Sequence, residues 1–339
     1  MYRVGVIGCG NIFPMHGISI NGVKNATVVA VSDVKEDRGN KVAKNYNCQF
    51  YADYKEMIDK ENLDVVHVCT PHYLHPEMVI YALEKGCHVL TEKPMSIKLE
   101  DAKAMVDAGT ASGKTFGVIF QNRYNPGSVL IKEALEDGTL GKIKGVRLSV
   151  TWDRSDEYYS KSDWKGTWDK EGGGVIIDQA IHTFDLMRWF VNSEIDYIDA
   201  NISNRAHEQI EVEDSAEGVV KFKNGVATAF HCINYYTYDS PVELELHCEN
   251  GVANIYGDKG TITLNNNKIF SANREDVVMD YGDGVKGYWG VSHIKQIENF
   301  YNALDNGTEP DITGKIAYET QKMICGIYDS GKGKTRINF

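Results

Sequence analysis

Residues 172–185 read GGGVIIDQAIHTFD and set a carboxylate, Asp178, four positions before an imidazole, His182. On an α-helix that spacing puts both side chains on one face, one turn apart. Almost every other residue of 175–191 is apolar, so the helix expected there is buried on most sides. Buried polar groups need partners. A carboxylate beside a histidine holds its tautomer and tunes its basicity, which is how a general base is built. Read alone, the pair is better taken as a polar stripe facing solvent. The rest of the chain favours the chemical reading.

The elements that would position such chemistry begin at the N-terminus. An apolar strand, Arg3 to Ile7, runs into Gly8-Cys9-Gly10-Asn11-Ile12-Phe13, and a helix is expected from about Pro14. A tight glycine turn between strand and helix lets the backbone approach a pyrophosphate at the positive helix end. Gly8, Gly10, Asn11 and Ile12 are therefore candidate dinucleotide contacts. A second strand, Thr27 to Ser32, ends at Asp33, 23 residues past Gly10. Dinucleotide folds place there the acid that binds the adenosine ribose hydroxyls, which points to NAD rather than NADP. The third glycine of the fingerprint is replaced by Phe13, so this helix is expected to pack less closely on the sheet.

The 339 residues suffice for two domains of ordinary size. Hydrophobic residues make up 42% and charged residues 25%, the balance of a soluble globular protein. A formal net charge of −12, with no Lys/Arg-rich run, argues against nucleic acid or an anionic membrane as partner. Seven cysteines at 9, 48, 69, 87, 232, 248 and 325 form no C-x-x-C pair, so neither a disulfide framework nor a metal site is expected. No signal peptide precedes the first strand and no apolar run reaches membrane-spanning length, so the expected location is cytoplasmic.

Apolar runs suited to buried parallel strands recur at 3–7, 27–32, 64–69, 88–91 and 115–120, with helical patterns such as 75–85 and 99–112 between them. This alternation predicts an α/β domain over 1–121, a doubly wound parallel sheet of Rossmann type. After about residue 121 longer alternating strands dominate, at 143–151, 197–204, 215–223, 226–236, 243–248, 252–256 and 261–264. Asn224-Gly225 and Asn250-Gly251 are hairpin pairs. Residues 122–339 are thus expected to form an α+β domain with a large, mainly antiparallel open sheet. Helices at 126–137 and 175–191 should pack on it, and helices at 291–305 and 313–329 close the chain. Strands 215–223 and 226–236 are read as placing apolar groups on the uncovered face, which predicts pairing of copies through it.

These residues resemble the Gfo/Idh/MocA family of nicotinamide-dependent oxidoreductases. Four motifs carry the likeness: Gly8-Cys9-Gly10-Asn11-Ile12, Cys69-Thr70-Pro71 followed by His75, Glu92-Lys93-Pro94, and Gly172-Gly173-Gly174 with Asp178 and His182. Their order and spacing agree with the family over essentially the whole chain. The resemblance implies a Rossmann domain, a second domain with a large open sheet, and an active site between them. It gives Lys93, otherwise readable as a surface residue, a place between nicotinamide and substrate, with a cis Lys93–Pro94 peptide. The Lys93 ammonium would then hydrogen-bond the reacting oxygen. His182 would take the hydroxyl proton, and Asp178 would hold the substrate and the histidine. It also implies a homodimer or homotetramer.

Lesser positions follow from the same likeness. Thr70, Pro71 and His75 come after the third strand, where open α/β sheets bind ligands; capping of the next helix is the alternative. Glu92 joins the cofactor-binding set. Gln121-Asn122-Arg123-Tyr124 resembles the start of the family's second domain, and Arg123 either reaches the substrate or forms a salt bridge within the fold. Tyr236, at a strand end, is a candidate substrate contact, with packing as its alternative. Residues 152–171 gather Trp152, Tyr158, Tyr159, Trp164 and Trp168 among charged groups. Flat aromatic faces beside hydrogen-bonding groups suit carbohydrate, with Tyr158 as the contact, unless the loop packs its aromatics inward. Trp164-Lys165-Gly166 looks like a family motif near the cofactor.

Three functions fit. The first is an NAD-dependent dehydrogenase acting on a secondary alcohol of a sugar, sugar derivative or cyclitol. The second is a redox-cycling enzyme that oxidises a sugar carbon, allows elimination or rearrangement, and reduces it again. The third is a non-catalytic NAD-binding regulator, which intact Lys93, Asp178 and His182 count against.

Overall fold

The structure is a computed structural model that describes residues 1–273 and 290–339. The chain divides into two compact units. The first holds Met1–Gln121 and the described residues from 290 to Gln321; the second holds 122–273 and Lys322–Phe339.

In the first unit strands and helices alternate: β1 (Tyr2–Ile7), α1 (Phe13–Gly22), β2 (Ala26–Ser32), α2 (Glu36–Tyr46), β3 (Gln49–Tyr51), α3 (Tyr54–Lys60), β4 (Val65–Val68), α4 (His75–Glu84), β5 (His88–Thr91), α5 (Leu99–Ser112) and β6 (Phe116–Val118). The six strands are parallel in the order β3-β2-β1-β4-β5-β6. Val4, Val6, Val65, Val66, Val68 and Val89 are fully buried, as expected where helices cover both faces of a parallel sheet. The strand order reverses between β1 and β4, and open sheets of this kind bind ligands at that point, outside the carboxyl ends of the strands. Phe13, in the fingerprint's third position, sinks into this core edge-on to Tyr46, with ring centroids 5.2 Å apart.

The second unit contains α6 (Pro126–Glu136), β7 (Ile143–Thr151), α7 (Asp156–Ser160), a π-helical turn at Val175–Ala180 and α8 (Ile181–Val191). There follow β8 (Ile195–Ser203), β9 (Ser215–Phe222), β10 (Ala227–Ile233), β11 (Glu243–Cys248), β12 (Gly251–Tyr256), β13 (Lys259–Leu264) and β14 (Ile269–Ala272). After α9 (Gly290–Asn306) and α10 (Gly314–Gly333) the chain adds β15 (Ile337–Asn338). The nine strands form one sheet, β14-β13-β12-β11-β7-β10-β9-β8-β15, in which only the β7–β10 pair is parallel. Val146, Leu148, Val150, Val220, Phe222, Phe230, Cys232, Leu244 and Leu246 make its inner face. Phe184 of α8 packs edge-on against Phe230, with centroids 5.2 Å apart.

The opposite face corrects the sequence reading. Cross-strand rows run Glu217–His231–Ser149–Glu243 and Val219–Ala229–Arg147–Glu245. This face is therefore mainly polar, because strict alternation sends the apolar set of each strand inward under the helices.

The tail of the chain also serves both units. Ile297, Phe300 and Tyr301, at helical spacing on α9, are buried in the same core as Val4 and Phe13. Gln296 ties α9 to the end of β6, accepting from Phe120 N–H and donating to the Val118 carbonyl. α9 thus departs from the expected second domain of residues 122–339 and belongs to the first unit. None of the seven cysteines forms a disulfide, and no described helix is long and apolar enough to cross a membrane.

Candidate active site

The candidate residues fall into two groups, one in each unit. In the first unit they sit on turns at the carboxyl ends of β1, β2, β4 and β5. Gly8 has φ +97°, and a Cβ there would come within 2.5 Å of the Cys69 carbonyl oxygen, so the crossing of the first and third turns requires glycine. A Cβ on Gly10 would meet only the tip of Arg38, at 4.0 Å. The N–H groups of Gly10, Asn11 and Ile12 have no acceptor among the described residues. Open space, unpaired N–H groups and the start of α1 together make an anion cradle that fits a dinucleotide pyrophosphate.

Asp33 is gripped from four sides. Its carboxylate accepts from Cys9 N–H and Lys35 N–H, each at 2.8 Å, and from two nitrogens of Arg38, also at 2.8 Å. Burial pushes its pKa up, but Arg38 and the two backbone N–H groups outweigh that and hold it below the usual carboxylate value. The acid that would recognise a ribose is thus tied to the glycine turn beside it.

On β4 and β5 the structure separates residues that can face a ligand from residues that brace them. Thr70 and Pro71 form the turn after β4. His75 is fully buried, with one ring nitrogen 2.8 Å from the Thr70 carbonyl and the other 2.8 Å from the Pro94 carbonyl. Burial holds its imidazole below the ordinary value. The His75 side chain therefore links the two turns from behind. The Lys93–Pro94 peptide is cis. Glu92 is also turned inward: one oxygen lies 2.9 Å from His16 Nε2 and the other accepts the Lys93 N–H at 3.3 Å.

In the second unit the glycine run and the π turn build the other group. A Cβ on Gly174 would collide with the Glu213 carbonyl oxygen. The first N–H groups of the turn are satisfied by side chains remote in sequence. Gly174 and Ile176 donate to the Glu213 carboxylate at 2.9 and 3.1 Å, and Ile177 donates to Tyr328 Oη at 3.1 Å. Burial pushes Glu213 up to about 7 even against these donors. Instead of the uniform α-helix expected over 175–191, the first turn is π, so Asp178 and His182 stand slightly less than one turn apart.

Asp178 Oδ2 accepts from Tyr158 Oη at 2.6 Å, Lys165 Nζ at 2.7 Å and Gln179 Nε2 at 2.8 Å. Lys165 also donates to Tyr158 Oη at 2.5 Å. Burial and the neighbouring Asp178 raise the Tyr158 phenol well above its ordinary value, so Tyr158 acts as a neutral donor. Burial opposes the charge on Lys165, but Asp178, Tyr158 and Glu171 outweigh it and raise its pKa. His182 lies half-buried on the first turn of α8.

Arg123 donates through Nε and Nη2 to both oxygens of Asp185 at 2.7 Å and is buried. Of its two sequence alternatives the structure supplies the ion pair, which fastens the 121–124 turn to the helix carrying His182. Tyr236 is exposed and packs on Tyr238, with centroids 5.4 Å apart. Trp164 has the Lys165 ammonium 4.7 Å from its ring centre. The aromatic loop divides its residues: Tyr159 packs inward with Ile210 and Val212, while Tyr158 joins Asp178. Sequence reasoning missed Lys165 and Gln179 as partners of Asp178. It also missed His16, His67 and Tyr301 behind Glu92.

Comparison with known proteins agrees with this architecture. Residues 2–120 match the family model of the oxidoreductase family with an NAD-binding Rossmann fold, and residues 129–263 match the Gfo/Idh/MocA C-terminal domain. The chain is 27% identical to the myo-inositol 2-dehydrogenase of Thermotoga maritima over 323 residues, covering 92% of this chain and 91% of that one. It is 30% identical to the inositol 2-dehydrogenase/D-chiro-inositol 3-dehydrogenase of Shouchella clausii, covering 75% and 71%. The WlbA dehydrogenase from Bordetella pertussis, solved with NADH and UDP-GlcNAcA, superposes with a TM-score of 0.86 at 27% identity, covering 100% of this chain and 98% of that one. The chain belongs to the Gfo/Idh/MocA family of NAD-binding oxidoreductases.

Proposed function

We propose that this protein is an NAD-dependent dehydrogenase that oxidises a secondary alcohol of a sugar, sugar derivative or cyclitol, or reduces the matching ketone. The observation that carries the reading is the second-unit cluster in which Asp178 is bound by Tyr158, Lys165 and Gln179 one short turn from His182. Such a carboxylate suits a polyhydroxylated ligand better than an apolar one. The Thermotoga maritima and Shouchella clausii relatives act, by name, on inositols.

His182 takes the hydroxyl proton as general base. Lys93 donates a hydrogen bond to the same oxygen and stabilises alkoxide-like charge. Asp178 orients the substrate. Gly8, Gly10, Asn11, Ile12, Asp33, Thr70, Pro71 and Trp164 would hold the dinucleotide, which when bound supplies the hydride acceptor. The redox-cycling alternative needs another base beside a transient ketone. Of the groups that could supply it, Tyr158, Tyr159, Asp156 and Glu157, Tyr158 is a neutral donor tied to Asp178 and Lys165, which supports the simple dehydrogenase. A panel of sugars and cyclitols with NAD, followed by NADH absorbance and product mass, tests the reading. No NADH and no oxidised product with any of them would sink it.

NAD is proposed over NADP, because Asp33 would repel a 2′-phosphate and Arg38, its natural partner, is already bound to Asp33 through both arms. NADH is expected to bind at least about tenfold tighter than NADPH, a difference of about 1.4 kcal/mol. Tighter NADPH binding by fluorescence titration would overturn this. We also propose a homodimer or homotetramer paired through the nine-stranded sheet, by polar side chains such as Arg147, Glu217 and Glu245 rather than by an apolar face. Light scattering at micromolar concentration should give a multiple of 37.9 kDa, and a monomer alone would contradict it.

A further inference from the structure

Behind the Glu92–Pro94 turn lies a file of buried polar groups that the reaction above does not use. Tyr301 Oη is 3.0 Å from His67 Nε2, His67 Nδ1 is 2.8 Å from His16 Nδ1, and His16 Nε2 is 2.9 Å from Glu92 Oε1. His293 Nε2 stands 3.4 Å from the same Glu92 oxygen. Tyr301, His16 and His67 are fully buried. The members come from α9, β4, α1 and the end of β5, all within the first unit.

The chemistry of the groups fixes where the protons sit. Glu92, whose carboxylate takes the Lys93 N–H on one oxygen and faces His16 Nε2 with the other, is the acceptor at this end. His16 therefore donates from Nε2. A single proton lies between His16 Nδ1 and His67 Nδ1. Placed on His16, it would make that ring an imidazolium and leave His67 protonated on Nε2, facing the Tyr301 oxygen. The Tyr301 hydroxyl would then be a buried donor with no acceptor, since it has no other partner among the described residues. Placed on His67, it satisfies every group: Tyr301 donates to His67, His67 to His16, and His16 to Glu92. Burial opposes a charge on His67 independently. The file is a one-way chain of donors ending on a carboxylate whose other oxygen receives the Lys93 N–H.

We propose that Tyr301, His67 and His16 are positioning residues for Lys93, acting through the ordered hydrogen-bond chain that holds Glu92 beneath it. The proposal rests on the role given to Lys93 above. It also explains why α9 returns to the first unit: Tyr301 supplies the donor that sets the direction of the chain.

The test combines two readings. Protein labelled with ¹⁵N-histidine and saturated with NADH is examined by long-range proton–nitrogen correlation at pH 7. His16 is expected as the neutral Nε2–H tautomer and His67 as the neutral Nδ1–H tautomer. His67 protonated on Nε2, or a doubly protonated His16, overturns the proton order and with it the proposal. Turnover of NAD is then measured with myo-inositol, or with whichever sugar the wild type oxidises faster, in Tyr301→Phe, Lys93→Ala and the double variant. Tyr301→Phe should lower kcat about tenfold with NADH affinity within about twofold, and should add nothing to Lys93→Ala. Wild-type kcat in Tyr301→Phe, or an equal further loss on top of Lys93→Ala, contradicts positioning. Wild-type kcat in Lys93→Ala instead defeats the catalytic reading of Lys93, an outcome separate from the tautomer result.

Discussion

Lys93→Ala is expected to lower kcat by about 10²–10³-fold, the loss that follows removal of one donor to a developing oxyanion, while NADH still binds with near wild-type affinity. Two features lead to that split. The contacts proposed for cofactor affinity, the glycine turn and Asp33, lie on other strand ends, where Asp33 is held by Cys9, Lys35 and Arg38. The backbone of the turn is also held independently of that side chain, by Glu92 on the Lys93 N–H and by His75 on the Pro94 carbonyl. Truncation therefore removes the ammonium and leaves its platform. Steady-state kinetics with a fluorescence titration of NADH reads both quantities, and near wild-type kcat on the true substrate would refute the assignment.

His182→Ala is expected to lose about 10²–10⁴-fold, the range for a positioned general base. The loss should shrink as pH rises, because solvent hydroxide increasingly does the work of the missing imidazole. The residue sits on α8, whose preceding turn is held by Glu213 and Tyr328, so the variant should keep the wild-type circular dichroism and melting temperature. A variant with an unaltered fold and near wild-type kcat at pH 7 would remove His182 from the mechanism.

Much of the scaffold was legible because local pattern and tertiary role coincide there. Long apolar runs became β1, β2, β4 and β5, and alternating runs became β7, β9, β10 and β11. The three-residue edge strand β3 lacks an apolar run, so nothing in Gln49-Phe50-Tyr51 announces it. The π turn was hidden for a different reason. Its hydrogen-bond register is set by Glu213 and Tyr328, far along the chain, and not by the sequence Val175–Ala180 itself. Among the candidate residues, Asp178, His182 and Lys93 stood out by motif, but the groups packed around them did not. Lys165 reaches Asp178 across 13 residues and Tyr301 reaches His67 across 234. Contacts of that span leave no periodic trace. The sheet's uncovered face was misjudged because alternation reveals two faces without saying which one the helices take.

The proposed reaction is net oxidation of a substrate carbinol carbon, for which bound NAD would supply the hydride acceptor. It is tested most directly with a sugar or cyclitol that the protein turns over, deuterated at the oxidised carbon and incubated with NAD in ordinary water. One deuteron at C4 of NADH is expected for every ketone formed, and, in a companion run in deuterated water, no solvent deuterium at the neighbouring carbons. Product formed many times over per NAD, without lasting NADH and with solvent deuterium beside the transient ketone, would contradict it.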